Sequence, residues 1–368
     1  MPVRPADDAD LLLPPGSVLV HIGPFKTGSS ALQQALHARR SQIRDHGVLY
    51  PGTTYRHLRE AAAVMGRGPR GVSDVPEREW TDLVDEIQRS DAARSVVSSE
   101  GLSTAGRRVV KRIVDDLGRD RLHVVRVERR LDRLLPSAWQ ERVKSSNESR
   151  TYPEFLDDVL AADPATAEGR RVSFWAAHSL EKFLDRWRSA LPDDHIHVVV
   201  ADDSDPRGTA AVFERMLGLP AGMLDPTQRP NSSLSWERTE VCRRLNEVFD
   251  ERGWPDKMRR RLLQNAVVKA FREAPAGAHE SRIPPVTGDR LRRTAELSAA
   301  RIHLLTTSGI DVIGDPEPTR VVAGSATSEP DAPPPTTIDI APVVAALEEL
   351  ISRVQSGSRQ GTPAEVSS

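Results

Sequence analysis

Residues Ser17–Val18–Leu19–Val20–His21–Ile22 form a short apolar run, followed by Gly23–Pro24–Phe25–Lys26–Thr27–Gly28 and then by Ser29–Ser30 with Ala31, Leu32, Ala35 and Leu36 at helical spacing. The pattern predicts a buried strand, a glycine-bounded loop and an amphipathic helix. Such a turn aims loop N–H groups inward and puts the positive end of a helix dipole beside them, which makes an anion site. No other stretch of the chain constrains the fold as strongly.

The interval from Gly23 to Gly28 matches the first half of the P-loop pattern G-x-x-x-x-G-K-[ST]. The second half departs from it. Ser29 stands where that motif has its lysine, and the loop's own lysine, Lys26, lies two residues before the second glycine. In a nucleoside triphosphatase the lysine reaches the β/γ-phosphates and the next hydroxyl holds Mg²⁺. A lysine at position 26 would sit over the first phosphate and its bridging oxygen instead.

Further runs alternate with helical patterns. Val96–Val97–Ser98–Ser99–Glu100, His123–Val124–Val125–Arg126–Val127 and His195–Ile196–His197–Val198–Val199–Val200 read as buried strands. Helices are expected over about 27–44 and from position 57 to 65, and then through Trp80 to Ile87, Val109 to Ile113, and Leu131 to Lys144. Later ones fall at 151–162, 174–187, 209–217, 236–274 and 288–308. Alternation of this kind predicts an α/β protein, three-layered, with a mainly parallel sheet covered on both sides and a helical C-terminal part. Ligands in such sheets bind past the carboxyl ends of the strands. The loop, Glu100 and Arg129 all fall there.

The expected organisation is a polar lead-in over 1–16 and a main domain over 17–310, divided into a nucleotide-binding core (17–235) and a helical extension (236–310). A Pro/Ser/Thr/Asp/Ala-rich linker over 311–340, a short amphipathic helix over 341–355 and a disordered tail over 356–368 follow. The helix carries Val343, Ala346, Leu347, Leu350, Ile351 and Val354 on one face and is expected to dock on its own domain or on a partner, a second copy included.

Charge is nearly balanced, 51 Lys+Arg against 53 Asp+Glu, so nothing global draws the chain to nucleic acid, and anion specificity must be local. Cys242 is the single cysteine, which rules out an intrachain disulfide and argues against a cysteine metal site. Residues 1–16 do not read as a signal peptide, no run is long enough to span a bilayer, and no Asp/Glu metal cluster is evident.

Pro24-x-Lys26-Thr27-Gly28-Ser29-Ser30 in this setting resembles the 5′-phosphosulfate loop of sulfotransferases that use 3′-phosphoadenosine 5′-phosphosulfate (PAPS). Arg129, after the third predicted strand, and Ser137, eight residues later, have the spacing of that family's 3′-phosphate site. Arg130 departs from the family, where Asp is common, so the choice between Arg129 and Arg126 stays open. More weakly, Val198–Asp203, Phe213–Leu219 and Arg229–Pro230–Asn231–Ser232–Ser233 look like the family's later strand, helix and nucleotide-closing loop. The resemblance covers 17–235 and is greatest to bacterial sulfotransferase-like proteins.

It implies a P-loop-like sulfotransferase fold and sulfuryl transfer from PAPS to a hydroxyl or amine of a carbohydrate, lipid or small metabolite, without a required metal. It also implies a cytoplasmic location, where PAPS is made. Implied nucleotide contacts are Gly23, Lys26, Thr27, Gly28, Ser29, Ser30, Arg129, Ser137, Arg229 and Asn231. Lys26 would stabilise the leaving oxygen, and the base would be Glu100 or His57, with His21 more suited to the core. The rival readings are a P-loop kinase or nucleotide hydrolase, and a nucleotide-binding interaction protein without catalysis.

Overall fold

The computed structural model describes residues 3–6, 9–66, 75–145, 148–166, 168–169, 172–226, 233–277, 279–323 and 333–359. Its centre is a six-stranded sheet in which every pairing is parallel, in the order β2-β3-β1-β4-β5-β6. The strands are β1 (Ser17–His21), β2 (Val48–Leu49), β3 (Arg94–Ser98), β4 (Leu122–Glu128), β5 (Ile196–Val200) and β6 (Asp311–Ile313).

From β1 the chain runs through α1 (Ser29–Ala38) and α2 (Arg40–Asp45) to β2, then through α3 (Leu58–Met65) and α4 (Arg78–Arg89) to β3. A 3₁₀ turn (Glu100–Thr104) and α5 (Arg107–Leu117) lead across to β4. Next come α6 (Leu131–Ser145), α7 (Tyr152–Ala161), α8 (Ser173–His178), α9 (Leu180–Trp187), β5 and α10 (Gly208–Leu217). β3 and β4 flank β1 on opposite sides, so the chain reverses its direction of winding at β1 and opens a crevice past its carboxyl end.

Strand residues divide by parity between two cores. Val18, Val20, Val97, Val124, Ile196, Val198 and Val312 pack with Trp80, Ile113, Phe183 and Trp187 from α4, α5 and α9. Leu19, Val96, Val125, Val127, Val199 and Ile313 pack with Leu32 and Leu36 of α1 and with Phe213 and Met216 of α10. A sheet apolar on both faces needs two helical layers, and the period-two split supplies them.

The described residues fall into two compact units. The first lies within Met1–Leu135, Leu156–Pro230 and Val286–Glu329; the second lies within Pro136–Phe155, Asn231–Pro285 and Pro330–Ser368. The second holds α11 (Trp236–Glu251), α12 (Asp256–Arg259), a π-helical stretch (Arg260–Val268) and α13 (Lys269–Glu273). After them come α14 (Gly288–Thr307), which belongs to the first unit, and α15 (Ile340–Arg359). In the second unit Gln140 donates to Leu234 O (2.8 Å) and Thr239 Oγ1 (3.1 Å), while α15 packs on α13 and the π-helical stretch. Ala346 is buried there, whereas Leu347 and Ile351, expected on the same face, point outward with Ile340 and Val344.

Three expectations need correction. Residues 311–313, read as the start of a linker, form β6, paired with β5 from His197↔Asp311 to Val199↔Ile313. The helix expected over 27–44 is two helices, because Gly28 (φ +95) delays its start and Arg39 (φ −110, ψ +23) interrupts it. The second predicted strand stops at Ser98, and Glu100 opens the 3₁₀ turn instead of ending the strand.

Candidate functional site

The loop after β1 continues the sheet before it turns. Ile22 N donates to Val125 O (3.1 Å), and Val127 N donates to Gly23 O (3.2 Å). Gly23 then takes φ +78, and a Cβ there would lie 3.0 Å from Glu100 Cγ and 3.2 Å from its Cα. Only glycine lets the loop turn this close to Glu100. Lys26, at φ +73, is the one non-glycine residue with positive φ among the described residues. Thr27 Oγ1 donates inward to Pro24 O (2.8 Å), so its hydroxyl fastens the loop and its backbone is left for other contacts.

At the N-terminus of α1, Ser29 is buried and its Oγ has no hydrogen-bond partner. No side chain caps this ten-residue helix. Uncapped first-turn N–H groups and an orphaned buried hydroxyl together provide what an anion would accept. Ser30 is exposed, as is Phe25 on the rim.

Arg129 reaches this loop. Its Nη1 donates to Lys26 O (3.3 Å) and its Nε to Asp203 Oδ1 (2.8 Å). Arg126 is 1 % exposed: its Nη1 and Nη2 donate to the carbonyls of Ala177 (3.1 Å) and His178 (2.9 Å), and its Nε pairs with Glu128. Burial lowers that guanidinium from its ordinary value. Of the two arginines left open by sequence, Arg129 is therefore the one at the loop, and Arg126 is a core strut. Arg130 is occupied by Asp132 (2.8 Å). Ser137 lies half-buried on α6, in the part of that helix assigned to the second unit. Arg229 and Asn231 lie outside the described residues.

Glu100 is buried beneath Gly23, and its Oε2 accepts from Gln33 Nε2 (3.1 Å). His57 is close to the same network but engaged through both nitrogens: Nδ1 accepts from Ser98 N (3.0 Å), and Nε2 donates to Pro51 O (2.9 Å). Burial lowers it to about 4. His21 is fully buried, with Nδ1 2.8 Å from Ser98 Oγ, and burial likewise lowers it to about 4. The structure thus gathers the loop, Lys26, Glu100 and Arg129, and ties His57 and His21 into the scaffold below. Among the described residues no group of His, Cys, Asp or Glu side chains could hold a metal ion.

Gln33, Ser98 and Asp203 were not singled out from sequence. Gln33 carried a signal, since it is a polar residue on the stripe Ser29, Leu32, Gln33, Leu36 that α1 buries.

The buried histidines set a pH response. His21 and His57 at about 4 are joined by His123, lowered to about 3 by burial and by His197 and His195 beside it, with its Nδ1 2.9 Å from His197 Nε2. All three bind protons less readily folded than unfolded, so stability is full above the unfolded value and is lost as pH falls toward the folded values. The urea midpoint should hold above pH 7 and fall from about 6.5 downward, as the unfolding free energy drops by up to about 1.4 kcal/mol per pH unit for each histidine. A midpoint that stays level from pH 6.5 to about 5 contradicts this burial.

No family model matches the chain, and no curated protein matches it. Among solved structures, the crystal structure of a sulfotransferase from Alicyclobacillus acidocaldarius is similar at 16% identity and a TM-score of 0.39, covering 69% of this chain and 98% of that one. At that level of superposition the α/β assignment stands on this chain's own sheet.

Proposed function

We propose that the chain moves the sulfuryl group of PAPS to a hydroxyl or amine of a carbohydrate, lipid or small-metabolite acceptor, by in-line displacement. The observation that carries this reading is the uncapped α1 N-terminus with the orphaned Ser29 hydroxyl, bordered by Lys26 and Arg129. A triphosphate loop would have lysine at position 29; the serine there and the lysine within the loop suit a single 5′-phosphate with a bridging oxygen to sulfate.

In this reading the N–H groups of Thr27 to Ser30, with the Ser29 and Ser30 hydroxyls, hold the 5′-phosphate next to Gly23 and Gly28. Lys26 stabilises the charge that grows on the bridging oxygen as its bond to sulfur breaks. The acceptor oxygen or nitrogen forms the new bond to sulfur and gives its proton to Glu100, and adenosine 3′,5′-bisphosphate leaves. Arg129 takes the 3′-phosphate bidentately, and Ser137, Arg229 and Asn231 remain proposed nucleotide contacts. His57 is assigned to support of the site. The reaction belongs with the cytoplasmic supply of PAPS; no helix among the described residues is long and apolar enough to cross a membrane.

Calorimetric titration with adenosine 3′,5′-bisphosphate, against ATP with Mg²⁺ and without acceptor, tests the reading directly. Micromolar binding of the bisphosphate alone is expected. Preference for ATP–Mg²⁺, or no binding of either, overturns it. Arg129→Ala should weaken the bisphosphate by about tenfold to a hundredfold, the worth of a charge-assisted hydrogen bond. Adenosine 5′-phosphosulfate, without a 3′-phosphate, should be much less affected, and equal losses for both would move the 3′-phosphate site elsewhere.

A further inference from the structure

Helix α1 buries Ser29, Leu32, Gln33, Ala35 and Leu36, and among these Gln33 is the long polar side chain. It is fully buried. An amide held away from water is destabilising unless its groups are paired, so its partners indicate what holds it there. Gln33 Nε2 donates both to Glu100 Oε2 (3.1 Å) and to Ser98 Oγ (3.0 Å), using both of its hydrogens. Its Oε1 has no partner. Turned over, the amide would set Oε1 against the Glu100 carboxylate and lose that bond, so the orientation that aims Nε2 at Glu100 is the better one.

Ser98 is held from two sides. Its backbone N–H donates to His57 Nδ1 (3.0 Å), and its Oγ lies 2.8 Å from His21 Nδ1. Ser98 Oγ thus bridges the Gln33 amide and the His21 ring, since a hydroxyl oxygen has two lone pairs and one hydrogen to share between them. Burial keeps both histidines neutral at pH 7. Gly23 lies against the Cα, Cβ and Cγ of Glu100. No hydrogen bond to Glu100 Oε1 is formed among the described residues.

We propose that Gln33 is the positioning residue of this site: it fixes one oxygen of Glu100 and leaves the other to face the acceptor, while Ser98 and His21 hold Gln33 in place. The proposal rests on the transfer reading above, in which Glu100 takes the acceptor proton. One partner from α1, itself tied to Ser98 at the end of β3, sets the carboxylate before any substrate arrives. An orphaned amide oxygen in the core is a cost that packing alone does not explain.

The test uses the full chain labelled with ¹⁵N-glutamine, with the Gln33 side-chain amide assigned through bonds. Replacing Glu100 by Gln should move that amide pair relative to its resonances in the unaltered protein. Unmoved resonances overturn the pairing, and this measurement does not require a Gln33 variant to fold. Gln33→Met, close in volume, should then lower kcat for PAPS consumption across a panel of hydroxyl and amine acceptors by tenfold to a hundredfold, roughly the cost of a small misplacement. The Kd for adenosine 3′,5′-bisphosphate should stay within about twofold, since no phosphate contact is removed. A kcat that survives Gln33→Met overturns the positioning role. Failure of the unaltered protein to bind the bisphosphate would instead strike the transfer reading, while the resonance result still decides whether Gln33 and Glu100 are coupled.

Discussion

Lys26→Ala should abolish the proposed transfer to within measurement of background, a loss of at least about 10²–10³-fold, the scale seen when one preorganised charge stabiliser is removed. The argument is electrostatic and geometric. Position 26 is at φ +73, a conformation that costs a side-chain-bearing residue about 1–2 kcal/mol, and its carbonyl is tied to Arg129 (3.3 Å). A loop that only had to turn would have glycine here. Lys26→Gly should therefore fold at least as stably as Lys26→Ala, by about 1 kcal/mol in chemical denaturation, and be equally inactive. Both variants should keep the circular dichroism of the unaltered chain. Turnover near the original level in either would remove Lys26 from the leaving-group role. A glycine variant less stable than the alanine variant would mean that the positive φ is not a strain.

What could be read from sequence depended on how much chain each feature used. β1, β3, β4 and β5 are buried along their whole length, so each left a run of apolar residues that marks a covered parallel strand. β2 has two residues and β6 three, too few for any periodicity, and Pro316 with the residues after it hid β6 in a stretch of linker composition. The turn between Gly23 and Gly28 was legible because glycine spacing reports backbone conformation directly. The supports beneath it were not. His57 on a helix start offered two ring nitrogens to an acceptor, and nothing in the sequence said that Ser98 N–H and Pro51 O would occupy both. Arg126 and Glu128 share a strand face two residues apart, and a charge pair at that interval within an apolar strand marks a buried ion pair, which separates Arg126 from Arg129.

Glu100→Gln should retain nucleotide binding and lose transfer by about 10²–10⁴-fold, the usual contribution of a positioned general base. The substitution is close to isosteric, and its side-chain oxygen can still accept from Gln33 Nε2, so the bond now 3.1 Å long survives and Gly23 keeps its seat against residue 100. What disappears is the ability to take a proton from the acceptor as sulfur is attacked. Equal affinity for adenosine 3′,5′-bisphosphate with kcat lost would assign Glu100 to the chemical step and not to binding. An active Glu100→Gln would remove the base from this position, and His57 could not inherit the role as it stands, since its one lone pair accepts the Ser98 N–H and burial holds it near 4. The proton would then have to leave directly to water or to the departing phosphate. In that case the rate should follow the acidity of the acceptor far more steeply than it does with a base in place, because no protein group would share the proton in the transition state.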